Sequence, residues 1–372
     1  MNRIQIFIIA ILLLTIQFFG ACKVNDELEP PVIVNPLSNN TPTPYTINYP
    51  TGLLWPRLKI PANNPLTVEG VALGKKLFYD NILSADNTIS CSSCHAQGFS
   101  FSDSKKFSFG VNGQLGIRNA MPLFNLGWFE DPSLVKGGHG FFWDGRVSSL
   151  ENQVLAPIED PREMNQNLAA LEQELRAHTE YPALFKKAFG TDSITTRLIM
   201  FAIAQFERTL ISGNAKFDQF KRGEIQLSDS ELRGLTLYTT ERADCFHCHG
   251  NDRSPFFTDF KFHNNGLDSI PLDLGLGGIT GKAEDMGLFK TPSLRNLSFS
   301  APYMHDGRFK TIEEVIEFYN SGTKNGPTTD LNIIKNHPKG GLNLSPQDKS
   351  DLIAFLKTLD DYSYISDIRF GK

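Results

Sequence analysis

Apolar residues recur three and four positions apart over several stretches of this chain, a spacing that predicts helices. "NLAALEQELRAH" puts Leu168, Leu171 and Leu175 on one face. "TTRLIMFAIAQFERTLISG" is a longer apolar stretch that stops at Gly213, a residue suited to a helix C-terminus. "LSDSELRGLTLYTTE" opens on Ser228 with Glu231 three positions on, so each side chain can take a free N–H of the first turn. "LSPQDKSDLIAFLKTL" repeats the device with Ser345 and Pro346, and sets Leu352, Phe355, Leu356 and Leu359 toward a core. Strand signals are few. The pattern predicts a mainly helical protein with long glycine-rich loops, notably over 98–140 and 250–310.

The same pattern divides the chain. Ile4 to Phe19 is an apolar run behind Arg3, and small residues follow up to Cys22. The run is too short and lightly flanked for a membrane span. Residues 1–22 resemble a bacterial lipoprotein signal, with Gly20 and Ala21 before a lipid-modified Cys22. An ordinary secretory signal is the alternative. Both place the mature chain outside the cytoplasm, in the periplasm, and acyl chains on Cys22 would tether it to a membrane surface. Residues 23–65 are proline-rich and read as a tether.

Two globular segments follow, 66–213 and 227–372, joined by polar sequence. A weak internal repeat relates them. "GKKLFYDNILSADNTISCSSCH" and "GLTLYTTERADCFHCH" match Gly74, Leu77 and Phe78 with Gly234, Leu237 and Tyr238. This suggests two copies of one small helical domain. The 372 residues suffice for two such cores, and a net charge of −5 without a basic block argues against a nucleic-acid partner.

Chemistry enters with the cysteines. Four of the five lie in two Cys-x-x-Cys-His stretches, "CSSCH" (91–95) and "CFHCH" (245–249). This is the attachment pattern of c-type haem. Two thiols add across the porphyrin vinyl groups, and the adjacent histidine lies below the iron as its proximal ligand. Cys91, Cys94 and His95 would hold one haem, and Cys245, Cys248 and His249 a second. A zinc ribbon would bring its cysteine pairs about 15–20 residues apart, and a thioredoxin-like pair would need a βαβ context. Neither matches. The sixth iron ligands decide between electron transfer and small-molecule binding. Candidates are Met121, His139, Met286, Met304, His305 and Tyr319.

Several further stretches carry a resemblance: "LGKKLFYDNILSADNTISCSSCH", "RNAMPLFN", "FFWDGRVSSLENQ", "PIEDPREM", "FERTL", "FKTPSLRN", "APYMHDGR" and "TIEEVIEFYNSG". In order and spacing the chain resembles the bacterial di-haem cytochrome c peroxidase family over nearly its whole length after the tether. The resemblance implies two cytochrome c-like helical domains, each with one covalently attached haem. The N-terminal haem would be peroxidatic and the C-terminal one would receive electrons. It implies reduction of hydrogen peroxide to water with electrons from a donor such as reduced cytochrome c. Members are often dimers, so a homodimer is among the expectations.

Residue by residue, the resemblance implies Glu151 as the acid–base group after "FWDGR". A companion glutamine of some members aligns with Phe141, a departure. A removable distal histidine of many members aligns with Val111, which implies a permanently open first site. The methionine that usually caps the second haem is replaced by Tyr319, fourteen residues after His305. The same replacement marks related enzymes that mature methylamine dehydrogenase, so oxidation of a protein or organic substrate through a high-valent two-haem state is the alternative reading. A calcium ion between the haems would take the Asn119 side chain and the carbonyls of Ser300 and Pro302. An aromatic bridge between the haems maps to Trp128, with Trp143 as the other candidate.

Overall fold

The Thr67 hydroxyl accepts from the Gly70 N–H and starts helix α1 (Val68–Phe78). This computed structural model describes residues 41–135 and 140–372. The expected signal segment, Cys22 and His139 lie outside the described residues. After α1, the described residues up to 149 form loops and short turns, one of which is Cys91–Cys94. Helices α2 (Leu150–Glu159), α3 (Leu168–Ala177), α4 (Tyr181–Phe189) and α5 (Thr196–Thr209) follow. The C-terminal part carries α6 (Lys216–Lys221), α7 (Asp229–Tyr238), the turn Phe246–His249, α8 (Ile312–Glu317) and α9 (Pro346–Lys357). Strands are few, as the pattern predicts: β1 (Phe262–His263) pairs antiparallel with β2 (Phe289–Lys290).

The helix signals locate their elements closely. Ser228 and Glu231 form the reciprocal cap of α7, and Ser345 does so for α9 with Asp348. Helix α5 ends earlier than Gly213 suggests. Its last turn tightens at Leu210, whose N–H donates to the Glu207 carbonyl. Asn125 then holds the following segment, donating from its backbone to Leu210 and accepting through Oδ1 from Ser212.

Buried apolar side chains form two clusters. The larger gathers α1 to α5 around Leu77, Phe78, Trp128 and Phe206; the other gathers α6 to α9 around Phe217, Tyr238, Phe257 and Phe355. Phe256, Phe260 and Tyr364 of the C-terminal segment belong to the larger one.

The internal repeat has a packing reason. Helix α1 packs on α5, and α7 packs on α9. A methyl group on Gly74 would collide with the Ala202 carbonyl of α5, and one on Gly234 with the Asp351 carbonyl of α9. Each repeat glycine therefore lets two helix backbones touch, while the following Leu and aromatic residue enter the core. Gly234→Ala is expected to lower stability by about 1–3 kcal/mol, the range for overpacking against a fixed backbone. Thermal unfolding of the haem-loaded protein checks this; an unchanged Tm would contradict the packing account.

The proline-rich segment is not a free tether along its whole length. Leu53 is buried in the second core and Leu58 in the first. The Tyr45 N–H donates to the Leu66 carbonyl, and the Trp128 indole donates to the Pro56 carbonyl at 2.9 Å. Proline removes an N–H and so forbids regular ladders, but it leaves carbonyls and neighbouring apolar side chains free to pack.

Candidate functional site

The first motif forms one helical turn, and His95 closes it by donating its N–H to the Cys91 carbonyl. His95 Nδ1 lies 2.8 Å from the Phe101 carbonyl. A carbonyl only accepts, so Nδ1 carries the proton and Nε2 keeps its lone pair, the tautomer a metal-binding imidazole needs. Burial holds the ring below its usual pKa, so it stays neutral. The Met121 carbonyl faces the same ring.

His95, Cys91 and Cys94 line a cavity of about 450 Å3 together with Phe129, Phe141 and Trp143. Burial pushes the Cys94 thiol up to about 11 and raises Cys91 further. Such thiols stay protonated, unlike those of reactive redox pairs. A largely apolar pocket with two thiols and one lone-pair imidazole fits a covalently held haem. His95 is the one histidine among the described lining residues. Val111 is buried and apolar and is not among the cavity-lining residues.

Glu151 is held away from this cavity. Gln153 and Val154 of α2 line it, whereas Glu151 is not among the lining residues. Its oxygens accept from Arg208 Nη1 at 2.7 Å, from Arg208 Nη2 at 2.9 Å and from Asn64 Nδ2 at 2.7 Å. Burial pushes its carboxyl up, but the Arg208 bonds and charge outweigh it and hold the group below the usual range. Arg208 also donates to Glu130, at 2.8 Å from Nη2. For Glu130 burial dominates, aided by the Glu151 charge, and its pKa is raised despite the shared arginine.

Glu207 and Lys290 are among the charged cavity-lining residues to which the sequence assigns no role. Glu207, beside Arg208 on α5, is fully buried and its Oε2 has no hydrogen-bond partner. Burial raises its pKa to about 8. Lys290 on β2 is also buried. The signal for Glu207 was present as a charge inside an apolar helix stretch. Lys290 had none, because its burial arises from segments distant in sequence.

The second motif repeats the logic. His249 Nδ1 lies 3.3 Å from the Phe257 carbonyl, and burial lowers the imidazole to about 4. The Tyr238 hydroxyl donates to the His249 and Gly250 carbonyls and fixes the turn. Tyr319 lies in a π-turn, Phe318–Gly322, that ends α8; such turns recur at functional sites. Its hydroxyl accepts from Asn265 Nδ2 at 3.1 Å, and the same amide lies 3.5 Å from Met304 Sδ. One amide thus gathers two of the sixth-ligand candidates. Burial raises the Tyr319 hydroxyl to about 12, with the Asn265 bond opposing; Cys245 and Cys248 are near enough to act on it electrostatically. Met286 packs instead against Gly277.

The Asn119 N–H donates to the His305 carbonyl at 2.7 Å, three positions after Pro302 in the chain. The Asn119 carbonyl accepts from the Trp143 indole at 2.8 Å. Trp143 lines the first cavity, and its own carbonyl accepts from the Lys290 N–H. Trp128 is buried in the larger core against Trp55 and Phe256 and is not among the cavity-lining residues.

Residues 68–226 match the family model described as di-haem cytochrome c peroxidase. The chain is 36% identical over 302 residues to methylamine utilization protein MauG of Methylophilus methylotrophus, covering 81% of this chain and 85% of that one. The chain belongs to the bacterial di-haem cytochrome c peroxidase family. Within this family it is also 34% identical to the cytochrome c551 peroxidase of Nitrosomonas europaea, over 69% of this chain and 75% of that one. A solved structure of a MauG-like protein associated with microbial copper homeostasis superposes with a TM-score of 0.78 at 36% identity, covering 88% of this chain and 99% of that one. Membership brings di-haem, oxidoreductase character, and the first motif's cavity and the second motif's turn fit it. Phe141 lines the first cavity and stacks on Phe129.

Proposed function

We propose that this chain is a periplasmic di-haem peroxidase that reduces hydrogen peroxide to water with two electrons from a small donor such as a reduced cytochrome c. The first cavity carries the reading: it is walled by Cys91, Cys94 and His95, with no other histidine among its described lining residues. Haem held there supplies the iron at which the O–O bond is broken and two electrons are delivered. His95 presents Nε2 and is oriented by Phe101. Phe129 and Phe141 exclude water from one wall. Glu151 takes the proton from peroxide and returns it to the departing oxygen. Its contact with Arg208 keeps it ionised, the state that accepts a proton, and reaching the cavity requires it to leave that contact. Trp143, at the cavity wall and hydrogen-bonded to Asn119, is the better-placed aromatic bridge toward the second motif than Trp128. Asn119 with the Ser300 and Pro302 carbonyls is the proposed calcium site.

Tyr319 favours a second reading. A phenolate ligand on the second haem would stabilise ferric iron and lower its potential, which suits oxidation of a protein or organic substrate, as in the maturation-type relatives. Steady-state assays separate the two. Sustained oxidation of reduced cytochrome c by peroxide supports the first; peroxide consumption without cytochrome turnover supports the second. If neither haem reacts with peroxide or cyanide, both readings fail. Tyr319→Phe is expected to change the ferric spectrum of the second haem and raise its potential while leaving the first haem's cyanide binding intact. An unchanged spectrum would remove Tyr319 from the ligand set.

A further inference from the structure

Lys290 is 2% exposed and lines the first cavity. The other described cations on that wall are engaged. Arg118 pairs with Asp144 and Asp273, Arg146 with Asp144, and Arg162 with Asp160. Among the described residues, Lys290 has no carboxylate in ion-pair distance. Its Nζ lies 3.4 Å from the Phe260 carbonyl and over the rings of Phe129, Phe260 and Phe262 at 4.8, 5.7 and 5.6 Å. Asp259 acts on it through space only, and that carboxylate is already bonded to His263 at 2.9 Å.

A buried ammonium without a counter-ion carries a desolvation penalty of several kcal/mol. Three aromatic faces offset part of it. What remains is visible in the amine itself, which burial lowers to about 7. Such a group becomes fully charged when an anion enters its reach. The cofactor that fits this cavity is a dicarboxylate on an apolar ring. Its ring matches the phenylalanine walls, whereas each carboxylate needs a donor.

We propose that Lys290 Nζ receives a carboxylate of the haem attached at Cys91 and Cys94. This rests on the haem reading of the first motif. In this role Lys290 is a positioning residue: it fixes the tilt of the ring through one edge, and its charge offsets a negative charge close to the iron. Because β2 belongs to the C-terminal part of the chain, the contact would also clamp that part onto the N-terminal cofactor.

The test uses the matured full chain, with the pyridine haemochrome assay first. Fewer than two haems per wild-type chain would sink the haem reading itself, before Lys290 is altered. With two haems present, Lys290→Met is expected to shift a propionate-bending band in the resonance Raman spectrum and to lower the midpoint potential of one haem. Loss of a cation near iron favours the ferric state. Lys290→Arg is expected to restore both values toward wild type. If the methionine variant does not mature, Lys290→Gln provides the same comparison in a polar neutral side chain. A neutral variant with two haems, an unmoved Raman band and unchanged potentials overturns the proposal. A lowered Tm with those spectra unmoved assigns Lys290 to packing alone and overturns it equally.

Discussion

Glu151→Gln is expected to lower kcat/KM for hydrogen peroxide by about 10²–10⁴-fold, the range for removing a positioned general acid–base group. Glutamine preserves the shape of the side chain and can still accept from Asn64 and Arg208, but it cannot take up a proton. Peroxide binding without turnover should therefore persist, and the two haems should remain attached. The pH profile gives the sharper reading. Arg208 holds Glu151 below the usual carboxyl range, so the wild-type basic form should persist to low pH and activity should decline only as Glu151 is protonated. That acid limb should disappear in the glutamine variant. If the variant turns over peroxide at the wild-type rate, the proton-transfer role passes to another cavity group, and Glu207 is the first to examine. Its carboxyl lines the cavity and is already raised to about 8.

Arg208→Leu should produce the largest loss of stability. The guanidinium side chain is fully buried between Glu130 and Glu151, whose side chains are 13% and 11% exposed. Removing one partner of a buried ion network leaves uncompensated charge, at about 3–5 kcal/mol. Here two carboxylates would be stranded together, and the adjacent Glu207 adds a third acidic group. Part of the loss should be recovered by combining Arg208→Leu with Glu130→Gln, because one stranded charge is then gone. Chemical denaturation of the haem-loaded single and double variants measures both effects. Equal stability of the single and double variants would show that the Glu130 carboxylate is not stabilised by Arg208. The same substitution also frees Glu151. If peroxide turnover per folded molecule rises, the ion pair restrains the acid–base group in the resting enzyme.

The parts of the site legible in the sequence are those that chemistry forces into contiguous residues. Covalent haem attachment needs two thiols and a histidine within five positions, so both motifs could be read directly. The repeat glycines were visible as well, although their reason, backbone contact at the α1–α5 and α7–α9 crossings, needed the fold. The family resemblance pointed to Tyr319, but nothing in the sequence pointed to the Asn265 amide that reaches both its hydroxyl and Met304. The charges were least legible. Glu207 interrupts an apolar helix stretch and so carries a signal, but Lys290 is an ordinary polar letter until segments tens of residues away bury it. The proline-rich segment misled for a related reason: composition reports the lack of regular backbone pairing, not the lack of packing. Leu53, Leu58 and Asn64 all become buried within it.

The proposed function requires two covalently held haems with unequal iron sites. The most direct test is the EPR spectrum of the fully oxidised protein, recorded with and without cyanide. One high-spin ferric signal that converts to low spin with cyanide, beside a second low-spin signal that cyanide leaves alone, is the predicted result. Two low-spin signals that both ignore cyanide would contradict it.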